Sequence, residues 1–210
     1  MRILYSDGGL AVAADGVAPP SDDDGKKLAD AFGEEYALSL AKRYPAAAAE
    51  SLSGALLLLG MLERLGTGAG RIERGEHGKP AFADRHVFFS ISHDRTAVVC
   101  AVSRQPAGID VMMLPQKSDP SVRLRMARRF FTAEEAEAVG RGEASRDGGE
   151  EFARCWTARE AYSKLLGGTL GSVLGGRIPP DDAFVRFSPY VAGSLCHVCC
   201  CTAGRVKGGF

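Results

Sequence analysis

The stretch EEFARCWTAREAYSKLLGG, residues 150–168, is the strongest helix signal in the chain, and the other segments are interpreted around it. Phe152 and Trp156 lie one helical turn apart on its apolar face, and Glu160 and Lys164 continue the same row at the edge of that face. Taken alone, Glu160 and Lys164 form a solvated ion pair that contributes only about 0.3 kcal/mol. The alternative is a carboxylate at the rim of a cleft, partly shielded by Trp156, which binds a metal or accepts a proton.

The order of predicted elements around this helix indicates the fold class. Helices are predicted first, then strands, then helices, then strands, which favours an α+β fold over a regular βαβ alternation. The opening residues 1–25 are rich in Gly and Asp and are predicted to be flexible. The predicted helices cover about 26–44, 45–65, 119–129, 133–140 and 150–166, and the predicted strands cover about 87–91, 96–102, 108–111, 183–187 and 195–202.

Composition excludes several classes of protein. The chain has 210 residues, and its 26 Lys and Arg balance its 26 Asp and Glu, so net charge indicates no nucleic-acid binding. The longest apolar run, Ala55 to Leu62, is well short of the roughly 20 residues that cross a bilayer. Acidic residues stand where a signal peptide would have its apolar segment, so we expect a cytoplasmic protein without a membrane span.

The C-terminal cysteines offer an alternative reading as a zinc or redox module. Cys196 and Cys199 form a Cys-x-x-Cys with His197 nearby, but the second pair that a zinc site normally needs is missing from the sequence. Cys200 and Cys201 extend the run, and strand alternation would direct these side chains to both faces of a sheet. Reduced core cysteines are the favoured interpretation.

Three short motifs carry residues that suit phosphate or metal chemistry. GIDVMM, residues 108–113, places Asp110 in an apolar run, which is costly unless a cation or hydrogen bonds require it. FFSISHD places Ser92 and His93 just past a predicted strand, where they cap a turn or bind a phosphate. Adjacent strand residues face opposite ways, so they are poorly placed as nucleophile and base. In HGKPAF, the proline beside Lys79 stiffens its approach to an anion.

Together, the motifs HGKP, FFSISHD, AGIDV, RFFTAEE and CWTAREAYSK resemble the 4′-phosphopantetheinyl transferase superfamily, in its larger single-chain, surfactin-synthetase-activating type. The resemblance runs from about Lys42 to Leu170. It implies two similar lobes in a pseudo-two-fold arrangement, residues 1–105 and 106–210, each a small antiparallel sheet packed with helices. A faint similarity between TAVVCAVSR and CHVCCCTAGR fits such a repeat.

The resemblance also implies an activity and a set of site residues. Such enzymes move the phosphopantetheine arm of coenzyme A to a serine of an acyl or peptidyl carrier protein, with Mg²⁺ bound between the lobes. Asp110 and Glu160 would be the metal ligands, and Glu160 would also be the base, directly or through a metal-bound water. Lys164 would stabilise the departing phosphate. The residues implied to hold coenzyme A are Gly78, Lys79, Pro80, Ser92 and His93.

Two positions depart from the pattern of the family. Met112 stands where many relatives have a glutamate, and a thioether does not replace a carboxylate on Mg²⁺. Glu50 stands where relatives often have a basic residue for coenzyme A, with Lys42 and Arg43 as possible substitutes. An alternative function is therefore a coenzyme A or carrier-protein binding protein that has lost turnover.

The resemblance assigns partners as well. Carrier proteins are typically acidic, and a basic helix predicted near residues 119–129 offers a docking surface, although such runs are more often solvated faces. The arginines concerned are Arg123, Arg125, Arg128 and Arg129. Glu135 matches an acidic position of the family but is equally explained as the capping glutamate of Thr132, so it is left out of the site. Because both lobes lie in one chain, a monomer is expected.

Overall fold

The computed structural model describes residues 1–41, 44–75, 77–115, 118–145 and 149–205. They form two four-stranded antiparallel sheets, one two-stranded hairpin and six α-helices. The strands are β1 (Arg2–Ser6), β2 (Leu10–Gly16), β3 (Ile72–Arg74), β4 (Pro80–Phe82), β5 (Phe88–Asp94), β6 (Ala97–Ser103), β7 (Ala107–Leu114), β8 (Phe184–Phe187), β9 (Tyr190–Val191) and β10 (Ser194–Thr202). The helices are α1 (Asp24–Phe32), α2 (Glu34–Ala41), α3 (Pro45–Leu65), α4 (Pro120–Phe130), α5 (Ala133–Ala144) and α6 (Glu150–Leu166).

The elements stack in four layers: helices, sheet, sheet, helices. The first sheet has the order β1-β2-β6-β5, and the second has β7-β10-β8 with β9 paired to β10. The two sheets share one apolar cluster, to which β6 contributes Val99 and β7 contributes Ile109 and Val111. Helices α1, α2 and α3 cover the outer face of the first sheet, and α6 covers that of the second. The predicted α+β class is confirmed.

Each sheet has at its centre one of the two strands whose sequences resemble each other. β6 carries AVVCAVS between β2 and β5, and β10 carries SLCHVCCCT between β7 and β8. This correspondence fits two similar halves. The division at 105/106 falls between the end of β6 and the start of β7 and stays a prediction, because the shared cluster joins both sheets into one core.

Three expectations about local structure were wrong. The opening residues are not flexible but form β1 and β2, whose small residues Ala11 and Ala13 pack under the helices. The single helix expected over 26–44 is two helices, because Gly33 adopts a φ of 96° between them. Ser92 and His93 lie inside β5, not beyond its end.

The helix α3 is the one helix of the described ranges that is long and apolar enough to cross a membrane by length and composition. It packs on the first sheet, where Leu57, Leu58 and Met61 are buried in the core cluster. A hydrophobic helix of this kind is therefore accounted for as a core element of the fold.

All six cysteines are free and buried, as the interpretation of reduced core residues requires. Cys196 and Cys200 face the cluster between the sheets, whereas Cys199 and Cys201 face α6. Burial raises the pKa of the Cys201 thiol to about 12, so it stays protonated, whereas zinc ligands are thiolates. Within the described residues, no group of three or more His, Cys, Asp or Glu side chains is placed to hold a metal ion.

Candidate functional site

The helix α6 approaches β7 closely because Gly108 has no side chain. A Cβ atom built on Gly108 would lie 1.9 Å from the carbonyl oxygen of Ala161 and 2.5 Å from the backbone nitrogen of Leu165. Only glycine fits such a contact. The close approach brings the last turns of α6 over the strand that carries Asp110, and it explains the glycine of the GIDV motif.

Asp110, Ser92 and Lys164 form one hydrogen-bonded group at this contact. Asp110 is 6% exposed, and its Oδ1 accepts from the Ser92 hydroxyl at 2.6 Å and from the Lys164 ammonium at 2.7 Å. Lys164 also donates to Ser92 Oγ at 2.8 Å and to the Ile109 carbonyl at 3.1 Å. The carboxylate is therefore stabilised in an apolar strand by a buried hydroxyl and a cation from another element.

Two further side chains of β5 fix the strand β7 beside it. Ser90 Oγ accepts from the Ile109 amide at 3.2 Å, and Asp94 Oδ2 accepts from the Met113 amide at 2.7 Å. Alternate residues of β5 thus face β7, with Ser92 between them. This arrangement confirms the expected divergence of Ser92 from its neighbour His93.

His93 lies on the opposite face of β5, against α3. Its Nδ1 is 3.0 Å from Glu50 Oε2, so the glutamate that departs from the family pattern is the partner of this histidine. Ser92 and His93 consequently point to different sides of the first sheet. Lys42 and Arg43, the expected substitutes for a basic residue at Glu50, lie outside the described residues.

Glu160 lies one turn before Lys164 and is half-buried. Burial raises the pKa of the Glu160 carboxyl, the nearby Asp110 carboxylate raises it further, and Lys164 opposes both effects. A carboxyl group whose charge is disfavoured by a neighbouring carboxylate is suited to share a cation with that neighbour or to hold a proton. The solvated-pair reading of Glu160 and Lys164 is wrong, since Lys164 bonds to Asp110.

Met112 lies on the same face of β7 as Asp110, because residues two positions apart on a strand share a face, and it packs into an apolar cluster there. It contacts the cluster of α4, α5 and α6, whose members include Phe131, Phe152 and Trp156. Phe152 and Trp156 are stacked with ring centroids 5.7 Å apart. The position that holds a glutamate in many relatives is therefore part of an apolar wall here.

A cavity of about 240 Å³ adjoins Lys164. It lies between the loop that precedes β4, the strand β5 of the first sheet and the end of α6. The residues that line it are His77, Gly78, Lys79, Pro80, Phe89, Ser90, Ile91, Lys164, Gly167 and Gly168. The structure thus places three of the predicted coenzyme A residues and Lys164 around one cavity.

Glu135 and Arg159 form a buried ion pair that the sequence reading did not include. The Arg159 side chain is 0% exposed, and its two terminal nitrogens donate to Glu135 at 2.8 and 2.6 Å. Its guanidinium also lies 4.7 Å from the ring centre of Phe131. Thr132 and Glu135 form the expected capping box, which is confirmed. One sequence signal could have indicated the burial of Arg159: it lies on the same face of α6 as Phe152 and Cys155.

The arginines of α4 divide into two groups. Arg123 is 3% exposed and pairs with Glu143 across to α5, so it does not belong to a docking surface. Arg125, Arg128 and Arg129 are exposed. Arg128 also lines a groove of about 660 Å³ between α4 and α5, together with Leu124 and Phe131.

Comparison with known proteins shows which family the sequence of this chain resembles. Residues 106–199 match the family model described as the 4′-phosphopantetheinyl transferase superfamily. This match covers β7, β8, β9 and most of β10 in the second sheet, together with Asp110 and the whole of α6. The resemblance of the sequence to that superfamily, in its larger single-chain type, is confirmed.

Individual relatives carry the same description. The chain is 33% identical over 94 residues to 4′-phosphopantetheinyl transferase gsp of Aneurinibacillus migulanus, covering 45% of this chain and 37% of that protein. It is 32% identical over 120 residues to 4′-phosphopantetheinyl transferase Sfp of Bacillus subtilis, covering 55% and 47%. It is 35% identical over 95 residues to 4′-phosphopantetheinyl transferase HetI of Nostoc, covering 43% and 38%. The chain matches less than half the length of each of these curated relatives.

Proposed function

We propose that this protein transfers the 4′-phosphopantetheine arm of coenzyme A to a serine of an acyl or peptidyl carrier protein. The observation that carries the proposal is the contact of α6 with β7, which places Asp110, Ser92 and Lys164 in one hydrogen-bonded group with Glu160 one turn away. The serine oxygen forms a bond to the phosphorus that bears the pantetheine arm. The bond from that phosphorus to the bridging oxygen breaks, and adenosine 3′,5′-bisphosphate leaves.

Each residue has a distinct role in this proposal. Glu160 accepts the proton of the carrier serine, and burial raises the pKa of its carboxyl, which makes the carboxylate a stronger base than an exposed glutamate. Lys164 neutralises charge on the leaving phosphate, because its side chain lines the cavity and its ammonium is held beside Asp110. Gly78, Lys79 and Pro80 line the nucleotide end of the same cavity. Ser92 and His93 are proposed as phosphate contacts from opposite faces of β5.

The donor set fits Mg²⁺. Asp110 and Glu160 provide two carboxylates, Asp110 raises the cost of ionising Glu160, and a divalent cation held by both would relieve that cost. Mg²⁺ is commonly held by one or two carboxylates together with substrate phosphates. When bound, it supplies positive charge to the pyrophosphate. Met112 does not contribute a ligand, since it packs in the apolar cluster with Trp156.

An intact-mass assay tests the proposed function. The protein is incubated with coenzyme A, Mg²⁺ and a panel of apo carrier proteins. We expect the carrier to gain the mass of phosphopantetheine, and we expect Glu160→Gln to slow the transfer by about 10³-fold because the base is lost. Omission of Mg²⁺ with EDTA present should have a similar effect. The proposal fails if transfer proceeds at the same rate in Glu160→Gln as in the unchanged protein.

The alternative function is that of a coenzyme A or carrier-protein binding protein without turnover. Two observations favour it: the apolar surroundings of Met112, and the Glu50 carboxylate beside His93. It predicts calorimetric binding of coenzyme A with no mass gain on any carrier. Met112→Glu would then separate the two functions, because a restored carboxylate should produce transfer only if the rest of the site is intact.

The exposed arginines of α4 are proposed as the carrier docking surface. Charge reversal in Arg125→Glu/Arg128→Glu should raise the KM for the carrier about tenfold or more, since rim charges steer an acidic partner. The KM for coenzyme A should stay within about twofold, because neither residue lines that cavity. Steady-state kinetics against both substrates measures this, and equal changes in both KM values would count against docking there.

We also propose that the protein is a cytoplasmic monomer.

A further inference from the structure

The ammonium group of Lys79 is directed at the protein backbone. Its Nζ donates to the carbonyl oxygen of Ala107 at 2.9 Å and to that of Lys164 at 2.5 Å. The side chain is partly buried, and burial lowers the pKa of Lys79 to about 8. A lysine ammonium has three donors, so two of them are committed to the protein.

The two carbonyls belong to the segments whose contact forms the candidate site. Ala107 is the first residue of β7, three positions before Asp110. Lys164 lies in the last turn of α6, where its carbonyl also accepts from the Gly167 amide at 3.3 Å and where a cation is favourable. Lys79 comes from the hairpin loop between β3 and β4, so one side chain joins three elements that are far apart in sequence.

The hairpin loop is built to hold Lys79 in this position. The Gly75 amide donates to the Lys79 carbonyl at 2.9 Å, and the Gly78 amide donates to the Gly75 carbonyl at 2.8 Å. Arg74 Nη1 donates to the Gly78 carbonyl at 2.9 Å. Gly78 has a φ of 76°, a conformation that glycine adopts at little cost, and Pro80 stiffens the exit of the loop.

We propose that Lys79 is a positioning residue whose ammonium clamps the last turn of α6 to the start of β7 and so fixes Lys164 against Asp110. This inference rests on the proposed function, because it assigns that contact a part in turnover. In this role, the aliphatic part of the Lys79 side chain lines the coenzyme A cavity, and its ammonium hydrogen-bonds to backbone carbonyls of the protein. Direct binding of a coenzyme A phosphate by the ammonium is the competing role.

Two variants separate the roles. Lys79→Met keeps an apolar stem and removes the donors, whereas Lys79→Gln removes the charge, is shorter by one bond and supplies an amide with two N–H donors. For the clamp, we expect Lys79→Met to lower kcat about tenfold or more with the KM for coenzyme A within about threefold. Lys79→Gln should recover kcat to within about threefold of the unchanged protein.

The opposite pattern overturns the inference. If Lys79→Met and Lys79→Gln both raise the KM for coenzyme A about tenfold and leave kcat unchanged, the ammonium binds the substrate and does not act as a clamp. The rescue by glutamine is the decisive feature, since glutamine supplies N–H donors near the two carbonyls and methionine supplies none.

A second readout does not depend on turnover. The amides of Gly167 and Gly168 donate to the carbonyls of Lys164 and Ser163 at the end of α6, and their hydrogen exchange reports on this last turn. We expect Lys79→Met to speed their exchange about fivefold or more, and Lys79→Gln to leave it near that of the unchanged protein. Unchanged exchange in Lys79→Met would contradict the clamp. If the unchanged protein transfers nothing to any carrier, the proposed function fails while this result still decides the clamp.

Discussion

Gly108→Ala is expected to destabilise the protein by about 4 kcal/mol or more, because the added methyl group would overlap backbone atoms of α6. The Cβ atom would lie 1.9 Å from the Ala161 carbonyl oxygen, and a rigid helix backbone cannot yield as a flexible side chain would. A loss of this size approaches the whole stability of a typical domain, about 5–15 kcal/mol. Urea unfolding followed by circular dichroism measures it.

The matched control is the same substitution where space is ordinary. Gly140 lies inside α5, and a Cβ atom there would meet its nearest neighbour, Leu124 Cδ1, at 3.7 Å. Gly140→Ala should therefore stabilise the protein by up to about 1 kcal/mol through helix propensity. Equal unfolding midpoints for the two variants would show that α6 does not rest on β7 as described.

Glu135→Gln is expected to destabilise the protein by about 3 kcal/mol, because it leaves the buried Arg159 guanidinium without its counter-charge. Arg159 is 0% exposed and makes two hydrogen bonds to this carboxylate. Burial alone raises the pKa of Glu135, yet the hydrogen bonds from Arg159 and Thr132 hold it below its ordinary value. Thermal and urea unfolding measure the difference.

An exposed ion pair within α5, the helix that carries Glu135, provides the control for this prediction. Glu137 and Arg141 are 3.9 Å apart with side chains 76% and 73% exposed. Glu137→Gln should change stability by no more than about 0.5 kcal/mol, since water screens such a pair. A loss in Glu135→Gln no larger than that in Glu137→Gln would mean that Arg159 reaches solvent or another partner.

Local sequence patterns predicted the helices and five of the ten strands of the described residues, and they failed where small residues or distant contacts decide the structure. The strand β2, LAVAADG, is rich in alanine, which has little preference for strands, so only its place between β1 and β6 makes it one. The break at Gly33 was missed because apolar spacing continues across it. Long helices such as α3 and α6 were predicted well, because their caps and periodicity agree.

The residues of the candidate site could be predicted from the sequence, but their contacts could not. The motifs identified Asp110, Glu160 and Lys164 as a set, and strand alternation predicted that Ser92 and His93 diverge. The partners themselves could not be predicted, because they join residues distant in sequence: Lys79 reaches the carbonyl of Lys164 across 85 positions. A charged residue is also expected at the surface, so the burial of Arg159 ran against the usual tendency.

The order of strands in the second sheet has a consequence for synthesis on the ribosome. β10 lies between β7 and β8, although it follows both in the sequence, and it is the ladder partner of β7 along its whole length. The strand that carries Asp110 therefore emerges about eighty residues before the partner that pairs with it. During that interval its apolar edge is open to other nascent chains, so the yield of active protein should depend on chaperone supply and on slow translation through residues 115–193.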